Sequence, residues 1–190
     1  MRHVGARFEI TSDPQRVASA KKIVLPGVGA FGDCMANLKD RGLAEPVKEA
    51  ARSGVPLLGI CVGCQILFDN GEEFGQQAGL GLIPGAVRRL PDPLAGGDNT
   101  IRIPNVGWRP LSIATSHPLF SCVTEGTMMY FVHSFAPVPM RAGDISATIE
   151  VNGIQAVVAV QNGSIHGVQF HPEKSGPAGL ALLRRFVELN

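Results

Sequence analysis

The chain has 190 residues, 45% of them hydrophobic, 17% charged and 23 of them glycine, which suits one compact globular domain with a sizeable core and many tight turns. Its 17 Lys and Arg against 16 Asp and Glu leave a net charge of +1, so neither nucleic acid nor an acidic membrane is an expected partner, since both call for a basic surplus. No apolar run approaches the roughly 18 residues of a membrane-spanning helix, and the start, Met1–Glu9, lacks a signal-peptide apolar core, so a soluble cytoplasmic α/β protein is expected.

Taken in chain order, Ile23-Val24-Leu25 reads as a short apolar strand that stops at Pro26-Gly27-Val28-Gly29. Asp33 is placed to cap a short helix through Leu38. A second helix is expected from Ala44 to Arg52, with Pro46 tolerated in its first turn and Gly54 closing it. Val55–Ile60 is almost wholly apolar, as a strand buried on both faces should be. A helix should follow from about Gly63 to Asp69. This alternation predicts a parallel sheet. Pro91–Asn99 reads as a polar loop.

The C-terminal part has another rhythm. Ala147–Val151, Ile154–Gln161 and Ser164–Phe170 read as strands separated by Asn152-Gly153 and Asn162-Gly163. Asn-Gly is a strong hairpin signal, because a type I′ turn needs positive φ at both central residues. An antiparallel meander is therefore expected, and the sheet as a whole should be mixed. The chain closes with an amphipathic helix, Ala178–Leu189, whose apolar face is Leu182, Leu183, Phe186 and Val187.

Gly59-Ile60-Cys61-Val62-Gly63 ends the second buried strand and opens a helix. It has the G-x-nucleophile-x-G form of a nucleophile elbow, with Cys where hydrolases carry Ser. The glycines suit a sharp turn in which side chains would clash. The unpaired N–H groups of the helix start would favour a thiolate, and the Val62 N–H would face an oxyanion formed beside Cys61. The same pentapeptide also fits a buried structural cysteine in a tight turn.

His171-Pro172-Glu173 lies just past the last predicted strand. On an extended segment residues i and i+2 point the same way, so His171 could move protons while Glu173 orients its ring. A surface turn is the plainer alternative. Pro26–Gly29 follows another strand end, and parallel sheets bind ligands at the carboxyl ends of their strands. Its N–H groups could complete an oxyanion hole with Val62, or it could be an ordinary βα turn. Cys61-Val62-Gly63-Cys64 is also a C-x-x-C, so a redox dithiol competes. Metal ligation is not expected. Cys34 and Cys122 read as core residues, and His3, His117, His133 and His166 as structural or exposed.

Gly59–Gln65 together with Gly167-Val168-Gln169-Phe170-His171-Pro172-Glu173 resembles the class I (triad) glutamine amidotransferases. Further blocks resemble the family of glutaminase subunits of imidazole glycerol phosphate synthase. They are Leu25–Gly32, Gly79–Gly85, Ile103–Trp108, Tyr130–Phe135 and Lys174-Ser175. The resemblance spans nearly the whole chain and implies a single amidotransferase type-1 domain over 1–190. Its fold would be a mixed sheet flanked by helices with a C-terminal antiparallel meander.

The function it implies is hydrolysis of glutamine to glutamate and ammonia. A heterodimeric (β/α)₈-barrel cyclase partner would use the ammonia to form imidazole glycerol phosphate and aminoimidazole carboxamide ribotide in histidine biosynthesis. Carried onto this sequence, Cys61 would be the nucleophile, His171 the base and Glu173 its orienter. Val28, Gly29 and Val62 would form the oxyanion hole, with the Val28-Gly29 peptide turning only in the partner-bound state. Gln65, Glu73, Ser134 and Phe135 would bind glutamine, and Trp108, Tyr130 and Lys174 would face the partner. No cofactor or metal is implied.

The sequence also departs from the family. Arg2–Gly5 resembles only the end of the family's first helix and Phe8-Glu9-Ile10 its next strand, so the chain is expected to be N-terminally truncated relative to the family. Arg109, Cys64 and Phe135 stand where Asn, Met and Tyr are common. An inactive subunit that only binds the cyclase is the alternative the missing first strand suggests.

Overall fold

The computed structural model describes residues 1–92, 102–114 and 117–189, so most of the expected Pro91–Asn99 loop lies outside the described residues. A 3-10 turn, Arg2–Val4, precedes α1, Pro14–Ala18. Then come β1 (Ile23–Gly27), α2 (Phe31–Asp40), α3 (Ala44–Arg52), β2 (Leu57–Cys61) and α4 (Val62–Gln65). Short strands follow: β3 (Phe68–Gly71), β4 (Gln77–Ala78), β5 (Ile83–Arg89), β6 (Asn105–Pro110) and β7 (Ser112–Ile113). The last part holds β8 (Met128–His133), β9 (Phe135–Pro139), β10 (Ile145–Val151), β11 (Ile154–Asn162), β12 (Ile165–Val168) and α5 (Gly176–Glu188).

The principal sheet has six strands in the order β1-β2-β12-β11-β10-β7. β1, β2 and β12 run parallel, and β12, β11, β10 and β7 pair antiparallel. This is the expected mixed sheet with its C-terminal meander. The parallel strands follow from their sequence, since Leu57 and Leu58 are fully buried and β12 is buried throughout. A second sheet has the order β4-β3-β5-β9, and β6 and β8 form a separate two-stranded ribbon. Phe31, Met35 and Val47 from α2 and α3 pack on one side of the principal sheet, while Leu182, Leu183 and Phe186 from α5 belong to a second apolar cluster with Phe131 and Phe170.

The helix at Ala44–Arg52 agrees with expectation, and Gly54 follows it in the left-handed region at φ 86°. Several boundaries differ. α2 starts at Phe31, not Asp33, and runs to Asp40. Its N-cap, Ala30, supplies no side-chain acceptor; the Glu73 carboxylate takes the Phe31 N–H instead, at 2.8 Å. The helix expected over Gly63–Asp69 ends at Gln65, because Phe68–Gly71 pairs with β5 and β4. Phe8-Glu9-Ile10 joins no strand, and Ile10 is 91% exposed. Cys122 lies at the surface rather than in the core.

The first meander turn matches its signal, with Asn152 at φ 48° and Gly153 at φ 85°. In the second, Asn162 still pairs with Ile165, so the loop is Gly163-Ser164. The α5 C-terminus is held by Lys22, whose Nζ donates to the Phe186, Val187 and Leu189 carbonyls. A cation there offsets the unpaired helix carbonyls.

Candidate active site

Cys61 ends β2 and α4 begins at the next residue. Its backbone lies at φ 56° and ψ −117°, a strained conformation for a side-chain-bearing residue. The strain is tolerated because the neighbouring backbones are locked together. A Cβ on Gly63 would fall 1.9 Å from the Leu25 carbonyl oxygen of β1, and one on Gly59 would fall 2.5 Å from the Gly63 carbonyl oxygen. The glycines therefore let β1, β2 and α4 meet backbone to backbone, which turns the Cys61 side chain into the space beyond the sheet.

That space is a cavity of about 400 Å³. The carboxyl ends of β1, β2 and β12 converge on it, which is where a parallel sheet accepts ligands. Cys61, Val62, Val28, Gly29, Gln65, Glu73, Ser134, Phe135, His171 and Lys174 all line it. Glu173 approaches through His171. Trp108 and Tyr130 stand outside the lining, paired across the β6–β8 ribbon in a T-shaped contact with ring centroids 6.0 Å apart. Lys174 joins the two groups, since its Nζ lies 5.9 Å from the Tyr130 ring centroid.

His171 Nδ1 and Glu173 Oε1 are 2.8 Å apart. The link is not the extended one expected, because Pro172–Lys174 forms a 3-10 turn. The turn brings the carboxylate back beneath the ring and assigns the proton to Nδ1, leaving Nε2 free to take another. The His171 backbone is fixed in turn. Its N–H donates to the Tyr130 carbonyl at 3.0 Å, and its own carbonyl accepts the Ser175 hydroxyl at 2.6 Å. Ser175 Oγ also accepts the Tyr130 N–H at 3.0 Å.

The Cys61 thiol is pushed up to about 11, chiefly by burial. The Val62 N–H opposes this by hydrogen bonding to the sulfur, as does the charge of Lys174, while Glu173 adds to the rise. The expected thiolate is therefore not the resting form. A helix of only four residues supplies little field, and the loss of water outweighs one N–H donor. Cys64 is wholly buried and its thiol is pushed up further by burial. Its sulfur packs where a Gly167 side chain would stand, 2.5 Å from that Cβ position. Both cysteines are free thiols, and the buried, protonated Cys64 is a poor redox partner.

Gln65 Nε2 donates to the Phe135 carbonyl at 3.2 Å and to Gln169 Oε1 at 2.9 Å. Gln169 Nε2 then lies 3.8 Å from Cys61 Sγ. Glu73 reaches the cavity but is engaged with the Phe31 N–H. The Val28 carbonyl accepts the Cys34 thiol at 3.3 Å. Sequence reasoning missed Gln169, although it lies two residues before His171 in the same block. It also missed His133, which is buried and lines the cavity. Among the described residues no group of His, Cys, Asp and Glu is arranged to hold a metal ion, and no helix is long and apolar enough to cross a membrane.

Comparison with known proteins places this geometry in a family. The model of the class-I glutamine amidotransferases matches residues 2–189. The chain is 46% identical over 186 residues to imidazole glycerol phosphate synthase subunit HisH of Moorella thermoacetica, covering 98% of this chain and 85% of that protein. It is 44% identical to the HisH subunit of Geobacter sulfurreducens, covering 98% and 88%. Among solved structures, a glutamine amidotransferase crystal structure is similar with a TM-score of 0.68 at 20% identity, covering 98% of this chain and 88% of that one. PurLQS from Thermotoga maritima gives 0.62 at 22% identity, covering 88% and 79%. At those identities the structural likeness concerns the fold.

Proposed function

The chain belongs to the class-I glutamine amidotransferases, and from that premise we propose that it is the glutaminase subunit of an imidazole glycerol phosphate synthase, serving histidine biosynthesis. The observation that carries the chemistry is one cavity holding a strained Cys61 together with a His171 oriented by Glu173 at 2.8 Å.

In the first half-reaction His171 Nε2 takes the Cys61 proton as sulfur attacks the side-chain amide carbon of glutamine. The negative charge moves to the amide oxygen, where backbone N–H groups of Val62 and the Val28-Gly29 segment stabilise it. His171 returns the proton to the amide nitrogen, the C–N bond breaks, and ammonia leaves a thioester. Water then adds to the thioester as His171 accepts its proton. The C–S bond breaks, the proton returns to sulfur, and glutamate is released. Glu173 stabilises the imidazolium formed in both halves. Gln65, Glu73 and the Ser134-Phe135 segment bind glutamine.

The β6–β8 ribbon supports the partner assignment. Its outer face pairs Val106 with Val132 and Trp108 with Tyr130, and Val106, Trp108 and Val132 are exposed. An apolar, aromatic-bearing ladder of this kind suits a protein partner, and Lys174 at its edge leads into the cavity. We assign it to the cyclase subunit, a (β/α)₈ barrel forming a heterodimer, with the cytoplasm as the place of action.

The test is glutamate release from glutamine, with and without a relative's cyclase subunit and its nucleotide ligand. Turnover that rises with the partner and vanishes in Cys61→Ala is expected. Full turnover in Cys61→Ala would sink the assignment. A stable complex without turnover would point instead to an inactive docking subunit.

A further inference from the structure

The ribbon has a second face, turned inward. Alternation along β6 and β8 sends Asn105, Arg109 and His133 to the side opposite Trp108. Asn105 is fully buried and His133 is 5% exposed, so each needs hydrogen-bond partners. The partners set a single polarity. The Phe135 carbonyl can only accept, so the His133 Nδ1 that lies 2.9 Å from it carries the proton. Nε2 of the same ring is then an acceptor and takes an N–H of Asn105 Nδ2, also at 2.9 Å. That fixes the Asn105 amide with Oδ1 towards Arg109, whose Nε donates at 3.0 Å.

The series therefore runs Arg109 to Asn105 to His133 to the Phe135 carbonyl with no conflict at any step. The same carbonyl takes its second bond from Gln65, which reaches Cys61 through Gln169. The neighbouring Ser134 carbonyl is held from the other side by the Leu90 N–H at 2.8 Å. A neutral ring fits the surroundings of His133, which burial and the nearby His171 push down to about 4.

We propose that Arg109, Asn105 and His133 form a positioning relay that holds the Phe135 carbonyl, and through it Gln65, at the cavity wall, and that connects this wall to the exposed face of the ribbon. The connection is mechanical. Trp108 points outward between Asn105 and Arg109 on the same strand, and the ribbon has only two strands, an arrangement with little stiffness of its own. A partner pressing on Trp108 moves the backbone that carries both relay residues. This last part rests on the reading of the outer face as the docking surface.

Two measurements test it. In the ¹⁵N-histidine-labelled chain alone, with His133 identified by its substitution, the His133 ring should show a protonated Nδ1 and an acceptor Nε2, unchanged from pH 8 to pH 6. Arg109→Met should shift the Nε2 resonance. An Nε2-protonated ring, a ring that titrates in that range, or a resonance indifferent to Arg109→Met would overturn the relay whether or not the protein is a glutaminase.

The second measurement is steady-state glutaminase kinetics with a cyclase subunit. His133→Asn retains a donor for the Phe135 carbonyl and loses Asn105, whereas His133→Leu loses both. We expect partner stimulation to fall about tenfold in His133→Asn and in Arg109→Met, and the KM for glutamine to rise roughly threefold in the first and more than tenfold in His133→Leu. Arg109, half-buried at the outer end of the relay, is the variant least able to disturb folding. Wild-type stimulation in both Arg109→Met and His133→Asn would refute the coupling. A wild-type protein with no turnover beside its partner would instead refute the functional assignment, and the ring resonances would still judge the relay.

Discussion

Cys61 should be a slow thiol at rest. Its ionisation is raised from 9.0 to about 11, with burial as the leading cause. At pH 8 a thiol at 9.0 is about one-tenth ionised and one at 11 about one-thousandth, a hundredfold difference by mass action. A more basic thiolate is also a better nucleophile, and a Brønsted slope of about 0.4–0.5 over two units returns roughly tenfold. The net expectation is alkylation by iodoacetamide about ten times slower than for an ordinary thiol, with a rate that climbs almost tenfold per pH unit from 7 to 10. Peptide mass spectrometry separates Cys61 from the surface residue Cys122 within the same sample. A Cys61 that labels faster than Cys122 at pH 7, with a plateau below pH 8, would refute the reasoning. It would mean that Val62 and Lys174 outweigh burial. Under the proposed mechanism the nucleophile would be made when glutamine is bound and His171 takes the proton, so little thiolate would stand exposed to oxidants between turnovers.

Glu173→Gln should preserve the hydrogen bond to His171 Nδ1 but not the charge that stabilises the imidazolium. Glu173 is 51% exposed, so solvent screens part of that charge, and kcat should fall by about ten- to a hundredfold with little change in KM; an unchanged kcat would contradict the assigned role. Acid should unfold the protein through its buried rings. Desolvation lowers both His133 and His166 to about 4, so each adds stability that is present above the ordinary value of 6.5 and is lost as pH falls through 4. Each should cost about 2 kcal/mol between pH 7 and pH 5, read as a falling urea midpoint, and a midpoint constant over that range would count against neutral buried rings.

Much of this molecule is legible locally. The Cys61 turn is visible because a strand that stops in G-x-C-x-G has few other ways to continue, and the structure gives the steric reason in the approach of Gly63 to the Leu25 carbonyl oxygen. The helix at Ala44–Arg52 and the first meander turn are local as well, carried by the Gly54 stop and by Asn-Gly chemistry. Where the local reading failed, a distant partner was responsible. Phe68–Gly71 has the apolar content to extend a helix, yet it pairs with β5. Phe31 starts α2 without a capping side chain of its own because Glu73, far along the chain, supplies the acceptor.

The amino-acid sequence alone marked out the candidate residues for chemistry here. Cys61 sits in its elbow, His171 and Glu173 lie in one short segment, and the surrounding blocks resemble one family. These are properties of adjacent residues, whose geometry is limited by backbone sterics. The tertiary structure decided the state of those groups. It buries Cys61 enough to keep it protonated, reaches it with Gln169, and turns the His171 segment into a 3-10 turn rather than an extended one. It also joins Arg109, Asn105 and His133 to the Phe135 carbonyl. Desolvation and hydrogen-bond polarity depend on what is packed around a group from other parts of the chain, and spacing along the sequence does not carry that information.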